Sequence, residues 1–160
     1  MPRFEIRPAS EADVPLILQF IRALAEYEKL SHKVVATEEI LRRTLFGNPR
    51  FAEVVIGYED AEPVGFALFF HNYSTFLGRP GIYLEDLFVN PDRRGRGYGK
   101  AFFRYLARIA KERDCGRVEW AVLNWNTPAI DFYKSLGAVL LEDWIVFRLI
   151  GEPLERLGGR

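Results

Sequence analysis

The period of the hydrophobic positions changes repeatedly along the chain, and each change marks an element. Phe4-Glu5-Ile6-Arg7 alternates as a short strand does. Leu16, Ile17, Phe20, Ile21 and Leu24 then recur at helical spacing. Ser10 is their N-cap, with Asp13 three residues on as a weaker capping box, and the helix should reach about Tyr27 or Leu30. Thr37 caps a second helix, Glu38 to Phe46, which Gly47 ends. Phe51 to Glu59 and Val64 to Phe70 predict an antiparallel hairpin around Asp60-Ala61-Glu62-Pro63. A polar and aromatic loop, His71 to Pro80, leads to an apolar strand, Ile82 to Val89. A glycine-rich loop follows, then a helix from Ala101 to Asp114 with Phe102, Phe103, Leu106, Ile109 and Ala110 on its inner side and Gly116 at its end. Arg117 to Leu123 predicts a strand. Thr127-Pro128 reads as cap and first residue of a helix that stops at Gly137, and Val139 to Leu149 predicts one or two last strands.

The resulting order, β-α-α-β-β-β-α-β-α-β, predicts an α/β fold. Its mixed central sheet is antiparallel in the N-terminal half, continues in a parallel strand–helix–strand unit, and is flanked by helices. The 160 residues, 49% of them hydrophobic, suit one domain spanning 1–160. The 22 basic and 22 acidic side chains cancel, which removes any global argument for nucleic acid or a membrane surface as partner. Cys115 is the only cysteine, so no intrachain disulfide forms; with no histidine near it in sequence, it reads as a small residue near a helix end. His32 and His71 lie far apart without a cysteine cluster, and no metal site is expected. No apolar run approaches a membrane span and no signal-peptide core follows Met1, so a soluble, cytoplasmic protein is expected.

Candidate chemistry concentrates in three places. The first is Arg94-Gly95-Arg96-Gly97-Tyr98-Gly99-Lys100, between the apolar strand and the helix that follows. Alternate glycines let the backbone approach a ligand closely, and the helix start offers free N–H groups to an anion. A Walker A loop would need glycine at Arg94 and a hydroxyl residue at Ala101; a dinucleotide fingerprint would need glycine at Lys100. The second is Glu85-Asp86, two carboxylates within an otherwise apolar strand. Strand alternation alone does not aim both at one site, burial would raise their pKa values, and a salt bridge to one of the arginines is the structural alternative. The third is Tyr133, which on its own reads as a core tyrosine of a helix.

Arg94-x-x-Gly97-x-Gly99 resembles the pyrophosphate loop of the GNAT superfamily of N-acetyltransferases. The run from Asn126 through Ala129, Phe132 and Tyr133 to Gly137 resembles that superfamily's other diagnostic segment, and the element order agrees with its fold. Ala25-Glu26-Tyr27-Glu28, Tyr83 to Val89, Trp125-Asn126 and Phe132-Tyr133-Lys134 narrow the likeness to the diamine (spermidine/spermine) and thialysine acetyltransferase branch, from Phe4 to about Phe147. The resemblance implies a homodimer that uses acetyl-CoA as co-substrate and no metal. It implies acetyl transfer to a primary amine of a small diamine, polyamine or thialysine-like molecule.

By the same resemblance, Leu87, Phe88, Val89, Arg94, Gly95, Arg96, Gly97, Tyr98, Gly99, Lys100, Asn126, Thr127, Pro128 and Ala129 contact acetyl-CoA. Tyr27, Glu28 and Glu85 contact the amine, and Tyr133 is the general acid. On chemical grounds Glu85 is the candidate proton acceptor, and Asp86 would attract a further ammonium group. A backbone N–H of Leu87 to Val89 would polarise the thioester carbonyl if the strand bulges there. No residue looks like an acyl-carrying nucleophile, which predicts direct attack in a ternary complex.

Polyamine-acetylating members carry an acidic residue and a tryptophan before the central strand; Tyr73-Ser74-Thr75-Phe76 has neither, which favours a short amine. Glu142-Asp143-Trp144 keeps acidic and aromatic character where the family closes its site, one residue shorter. The alternatives are a GNAT acting on a protein lysine or N-terminus, and a non-catalytic acetyl-CoA-binding module.

Overall fold

The computed structural model describes residues 1–159 and divides the chain into two units, Met1–Ala121 and Val122–Arg160. In the first unit five strands pair in sequence order: β1 (Phe4–Pro8), β2 (Glu53–Glu59), β3 (Glu62–Ser74), β4 (Arg79–Val89) and β5 (Val118–Trp120). The first four are antiparallel neighbours and β5 runs parallel to β4, as the pattern predicted. The hairpin turn is tighter than its sequence suggested, because Asp60 and Ala61 both take left-handed φ values, 47° and 70°, as a two-residue turn requires. Most of the stretch expected as loop is strand. His71 to Ser74 pair with Ile82 to Arg79, and the polar side chains sit on a ladder whose backbone bonds outweigh their weak strand preference.

Three helices cover this sheet: α1 (Val14–Tyr27), α2 (Glu38–Phe46) and α3 (Tyr98–Glu112). Ser10 N donates to Asp13 Oδ2 at 2.8 Å, closing the expected box one turn ahead of α1, and Thr37 Oγ1 accepts from Ile40 N at 3.2 Å to cap α2. α3 begins three residues earlier than predicted. Gly97, with φ of 84°, is its N-cap, and Tyr98 is buried with its ring stacked on Phe4 at 4.0 Å. Its reversal comes at Asp114, φ 55°, rather than at Gly116.

The apolar residues fill both faces of the sheet. Val14, Ile17, Phe20, Leu41 and Leu45 of α1 and α2 pack on Ile56, Phe66 and Phe88. Phe102, Leu106 and Ala110 of α3 pack on Val55, Ala67, Phe69, Ile82 and Leu84. This makes a three-layer α/β/α unit.

In the second unit the helix α4 (Thr127–Ser135) is capped by Asn126, one residue before the predicted cap, and Asn126 Oδ1 accepts from Ala129 N at 3.4 Å. Gly137, φ 88°, ends it as expected. The strands predicted over Val139–Leu149 are corrected by the structure, since none of these residues is in a strand. Their apolar run carries strand propensity, but a strand exists only where its N–H and C=O groups meet a ladder, and here Trp144 to Phe147 stand exposed. A short helix that the pattern did not announce, α5 (Gly151–Gly158), follows, with Arg156 Nη1 3.1 Å from Glu152 one turn back. Among the described residues no helix is long and apolar enough to cross a membrane.

Candidate active site

A single irregularity in β4 arranges the acidic residues. Phe69 pairs with Leu84 and Leu68 with Asp86, so Glu85 is an extra residue, a β-bulge. The change of face on either side proves its effect. Before the bulge the even residues Ile82 and Leu84 pack toward α3; after it the odd residues Leu87 and Val89 do, while Phe88 joins the α1 side. Glu85, opposite in phase to Leu84, and Asp86, in phase with Phe88, therefore both lie on the α1 side. The alternation argument that kept the two carboxylates apart fails for this reason. The bulge sits at Glu85 and not within Leu87–Val89, where pairing with β3 is regular.

Glu28, the residue that ends α1, completes the group. Burial first, and then the charge of Glu85, push its carboxyl above the usual range. Asp86 is pushed up to about 7, mainly by burial, then by Glu85 and Glu28. The arginines that might have neutralised these groups are engaged elsewhere: Arg93 and Arg96 with Glu59, Arg113 with Glu53, Arg117 with Glu119. What faces Asp86 electrostatically is two further carboxylates. Such a cluster attracts an organic cation and can take up a proton near neutral pH. Tyr83, whose ring lies 5.3 Å from Phe70, has its phenol pushed up by burial and by Glu85 and Glu119.

The glycine loop stands next to this cluster. Arg94, though exposed, folds back on the strand and helix: its Nε donates to Val89 O at 2.9 Å, and its guanidinium lies 4.7 Å from the centre of the Tyr27 ring and 5.3 Å from that of Phe88. Cation–π contacts of this length tie the end of α1 to the loop. Gly95 and Gly97 have φ of 78° and 84°, and a Cβ on either would meet nothing within 4 Å. Their backbone thus borders open space, as close approach of a ligand to the α3 N-terminus requires. β5 pairs only with Ile82–Leu84, so from Glu85 to Val89 that edge of β4 has no ladder partner among the described residues.

Gly99 and Lys100 lie in the first turn of α3, with Lys100 exposed. The structure thus gathers Tyr27, Glu28, Glu85, Asp86, Phe88, Val89 and Arg94 around the end of α1, with Gly95 to Lys100 following directly. Asn126 to Ala129 and Tyr133 belong to the second unit. Asn126 is buried, Tyr133 is half-buried on α4, and its ring lies 5.7 Å from that of Phe132. At the loop tip, Tyr73 and Phe76 are exposed, and no carboxylate accompanies them.

Two features escaped the sequence reading. Glu59 is buried beneath the loop; the only sign of it was the acidic hairpin tip set against the arginine run. His71 Nδ1 comes within 3.8 Å of Cys115 Sγ, although 44 residues separate them. No local pattern announces such a pair.

The description "Acetyltransferase (GNAT) family" belongs to a family model that matches residues 19–138. A thialysine N-epsilon-acetyltransferase of Sus scrofa is 45% identical over 166 aligned positions, covering 97% of both chains. An L-ornithine N5-acetyltransferase of Arabidopsis thaliana is 32% identical, covering 95% of this chain and 86% of its own. An integron cassette protein from the mobile metagenome of V. cholerae superposes with a TM-score of 0.82 at 28% identity, covering 98% of each chain.

Proposed function

The chain belongs to the GNAT acetyltransferase family and is an N-acetyltransferase, and from that premise we propose that it moves the acetyl group of acetyl-CoA to a primary amine of a short, thialysine- or ornithine-like substrate. The observation that carries this reading is the bulge that brings Glu85 and Asp86 to the same side as Glu28, with Arg93, Arg96, Arg113 and Arg117 paired to other carboxylates. The match of the family model across Ala121 supports treating residues 1–160 as one catalytic domain, and the resemblance supports a homodimer in the cytoplasm.

The residues present fit acetyl-CoA. Gly95, Gly97 and the first turn of α3 through Lys100 would hold the pyrophosphate, joined by Arg94 and Arg96, and the family resemblance assigns further contacts to Leu87–Val89 and to Asn126–Ala129. The co-substrate supplies an acetyl group on a thioester.

An alkyl ammonium has a pKa near ~10.4 and must lose a proton before its nitrogen can attack. Glu85, exposed at the bulge, meets the ammonium and accepts its proton directly or through water. Asp86, on the same side of the strand, holds its own proton to about pH 7 through burial and the charges of Glu85 and Glu28. The nitrogen forms a bond to the acetyl carbon as the carbon–sulfur bond breaks, and Tyr133 gives its proton to the departing thiolate. Tyr27 and Glu28 orient the substrate, and the missing carboxylate at Tyr73–Phe76 shortens the molecule that the site rewards.

The test is release of CoA from acetyl-CoA with thialysine, ornithine, lysine, putrescine, spermidine and a lysine peptide. Preference for the first two supports the reading. Preference for the peptide favours a protein acetyltransferase, and no turnover with any amine favours a binding module.

A further inference from the structure

Three side chains from the glycine loop converge on one buried carboxylate that none of the chemistry above uses. Glu59 closes β2, and its side chain is 9% exposed. Arg93 Nε lies 3.1 Å from Glu59 Oε2, with both atoms out of solvent, and Arg96 Nη1 donates to Glu59 Oε1 at 2.5 Å. Burial first, and then the neighbouring Glu59, push the Tyr98 phenol up, which places Tyr98 beside the same carboxylate. These side chains bracket Gly95 and Gly97, the two residues of the loop with positive φ. Glycines at such positions leave a loop conformationally free, and ordering them on binding costs affinity. A carboxylate that grips residues 93, 96 and 98 sets the path between them beforehand. Arg93 is held further by Glu62 Oε2 at 3.1 Å and Asp92 Oδ2 at 2.7 Å, which fixes the hairpin tip to the loop entrance.

We propose that Glu59 is a positioning residue for acetyl-CoA, which shapes the pyrophosphate loop through Arg93, Arg96 and Tyr98 without touching the co-substrate. The inference rests on the reading that this loop takes the pyrophosphate, and it adds the device that preorganises it. A group that orders the loop lowers KM for acetyl-CoA and leaves the chemical step alone. It has no effect on a thioester that lacks the pyrophosphate.

The experiment compares acetyl-CoA with S-acetylpantetheine as donors for wild type, Glu59→Gln, Glu59→Asp, Arg96→Ala, Glu59→Gln/Arg96→Ala and Gly97→Val. Glu59→Gln should raise KM for acetyl-CoA on the order of 10- to 100-fold, with kcat and the S-acetylpantetheine KM within about 2-fold of wild type. Glu59→Asp, which keeps the charge, should fall between, and it decides the matter if the glutamine variant does not fold. Glu59→Gln/Arg96→Ala should be less impaired than the two single effects combined, since the Glu59–Arg96 contact is lost in each single variant and can be lost only once. Equal losses on both donors, an unchanged KM for acetyl-CoA, or additive single effects would each overturn the role of Glu59 while Gly97→Val still weakens acetyl-CoA. A Gly97→Val enzyme with wild-type KM, in a protein that uses both donors equally well, would overturn the loop assignment and the inference with it.

Discussion

Asp86→Asn should make the protein more stable at pH 8 and leave its stability almost unchanged at pH 4. The carboxyl moves from an ordinary 3.8 to about 7, for which burial is the largest cause, then Glu85 and Glu28. At about 1.36 kcal/mol per pH unit this is ~4 kcal/mol between the two protonation states, reduced to roughly 2–4 kcal/mol because Asp86 keeps some contact with solvent. The folded-state pKa is the higher one. Below about pH 4 the folded and unfolded chains both hold the proton, and Asp86 costs nothing. Between about pH 4 and 7 the unfolded chain has lost it while the folded chain retains it, so stability falls as pH rises. Above 7 the folded protein carries a charge that burial and two carboxylates oppose, and the whole penalty is present. Asparagine has the same shape and stays neutral, so its advantage should open from about pH 4 and level off above 7. Urea unfolding followed by tryptophan fluorescence at pH 4, 6 and 8, with m-values compared, measures it. The same variant should lose turnover at neutral pH, a stability gain at the expense of function. If Asp86→Asn is no more stable than wild type at pH 8, Asp86 does not ionise against a penalty and the acidic-cluster argument is wrong.

Glu85→Gln should depress turnover at neutral pH far more than affinity for acetyl-CoA, and should move the acidic limb of the rate profile to lower pH, because one of the charges that raises Asp86 is gone. Normal rates across pH would remove Glu85 from the mechanism. Tyr133→Phe should slow turnover by ~10²–10⁴-fold with acetyl-CoA affinity little changed, and by less with a more acidic thiol as leaving group. A lower melting temperature with full activity would instead mark Tyr133 as a packing residue. Gly97→Val places a side chain in the open space beside the α3 N-terminus and forces an L residue to φ of 84°. Calorimetry should show weaker acetyl-CoA binding, and unchanged affinity in a folded variant rejects the loop as the site.

Local order in this protein was written in local sequence. Helical spacing from Leu16 to Leu24, the Ser10 box and the Thr37 cap fixed α1 and α2, since each depends on contacts within a few residues. The Arg94 to Lys100 glycines and the Asn126 to Gly137 segment pointed to the family for the same reason: a loop that brings backbone to a ligand needs particular residues at particular spacing. Pairing between distant segments was not legible in this way. His71 to Ser74 are polar and became strand only because Arg79 to Ile82 lie beside them, while the apolar Val139 to Leu149 found no ladder and formed none. The bulge at Glu85 is likewise a property of two strands, a mismatch of register that neither sequence shows alone. It reverses the faces of everything after it, and so turns a carboxylate pair that alternation would have split into a single cluster with Glu28. Glu59, drawn to the loop across 34 to 39 residues of sequence, was visible only once the hairpin had folded against that loop. The sequence determined which local pieces form and what chemistry they carry; tertiary structure decided which charges meet, because register and burial are set by neighbours that lie far along the chain.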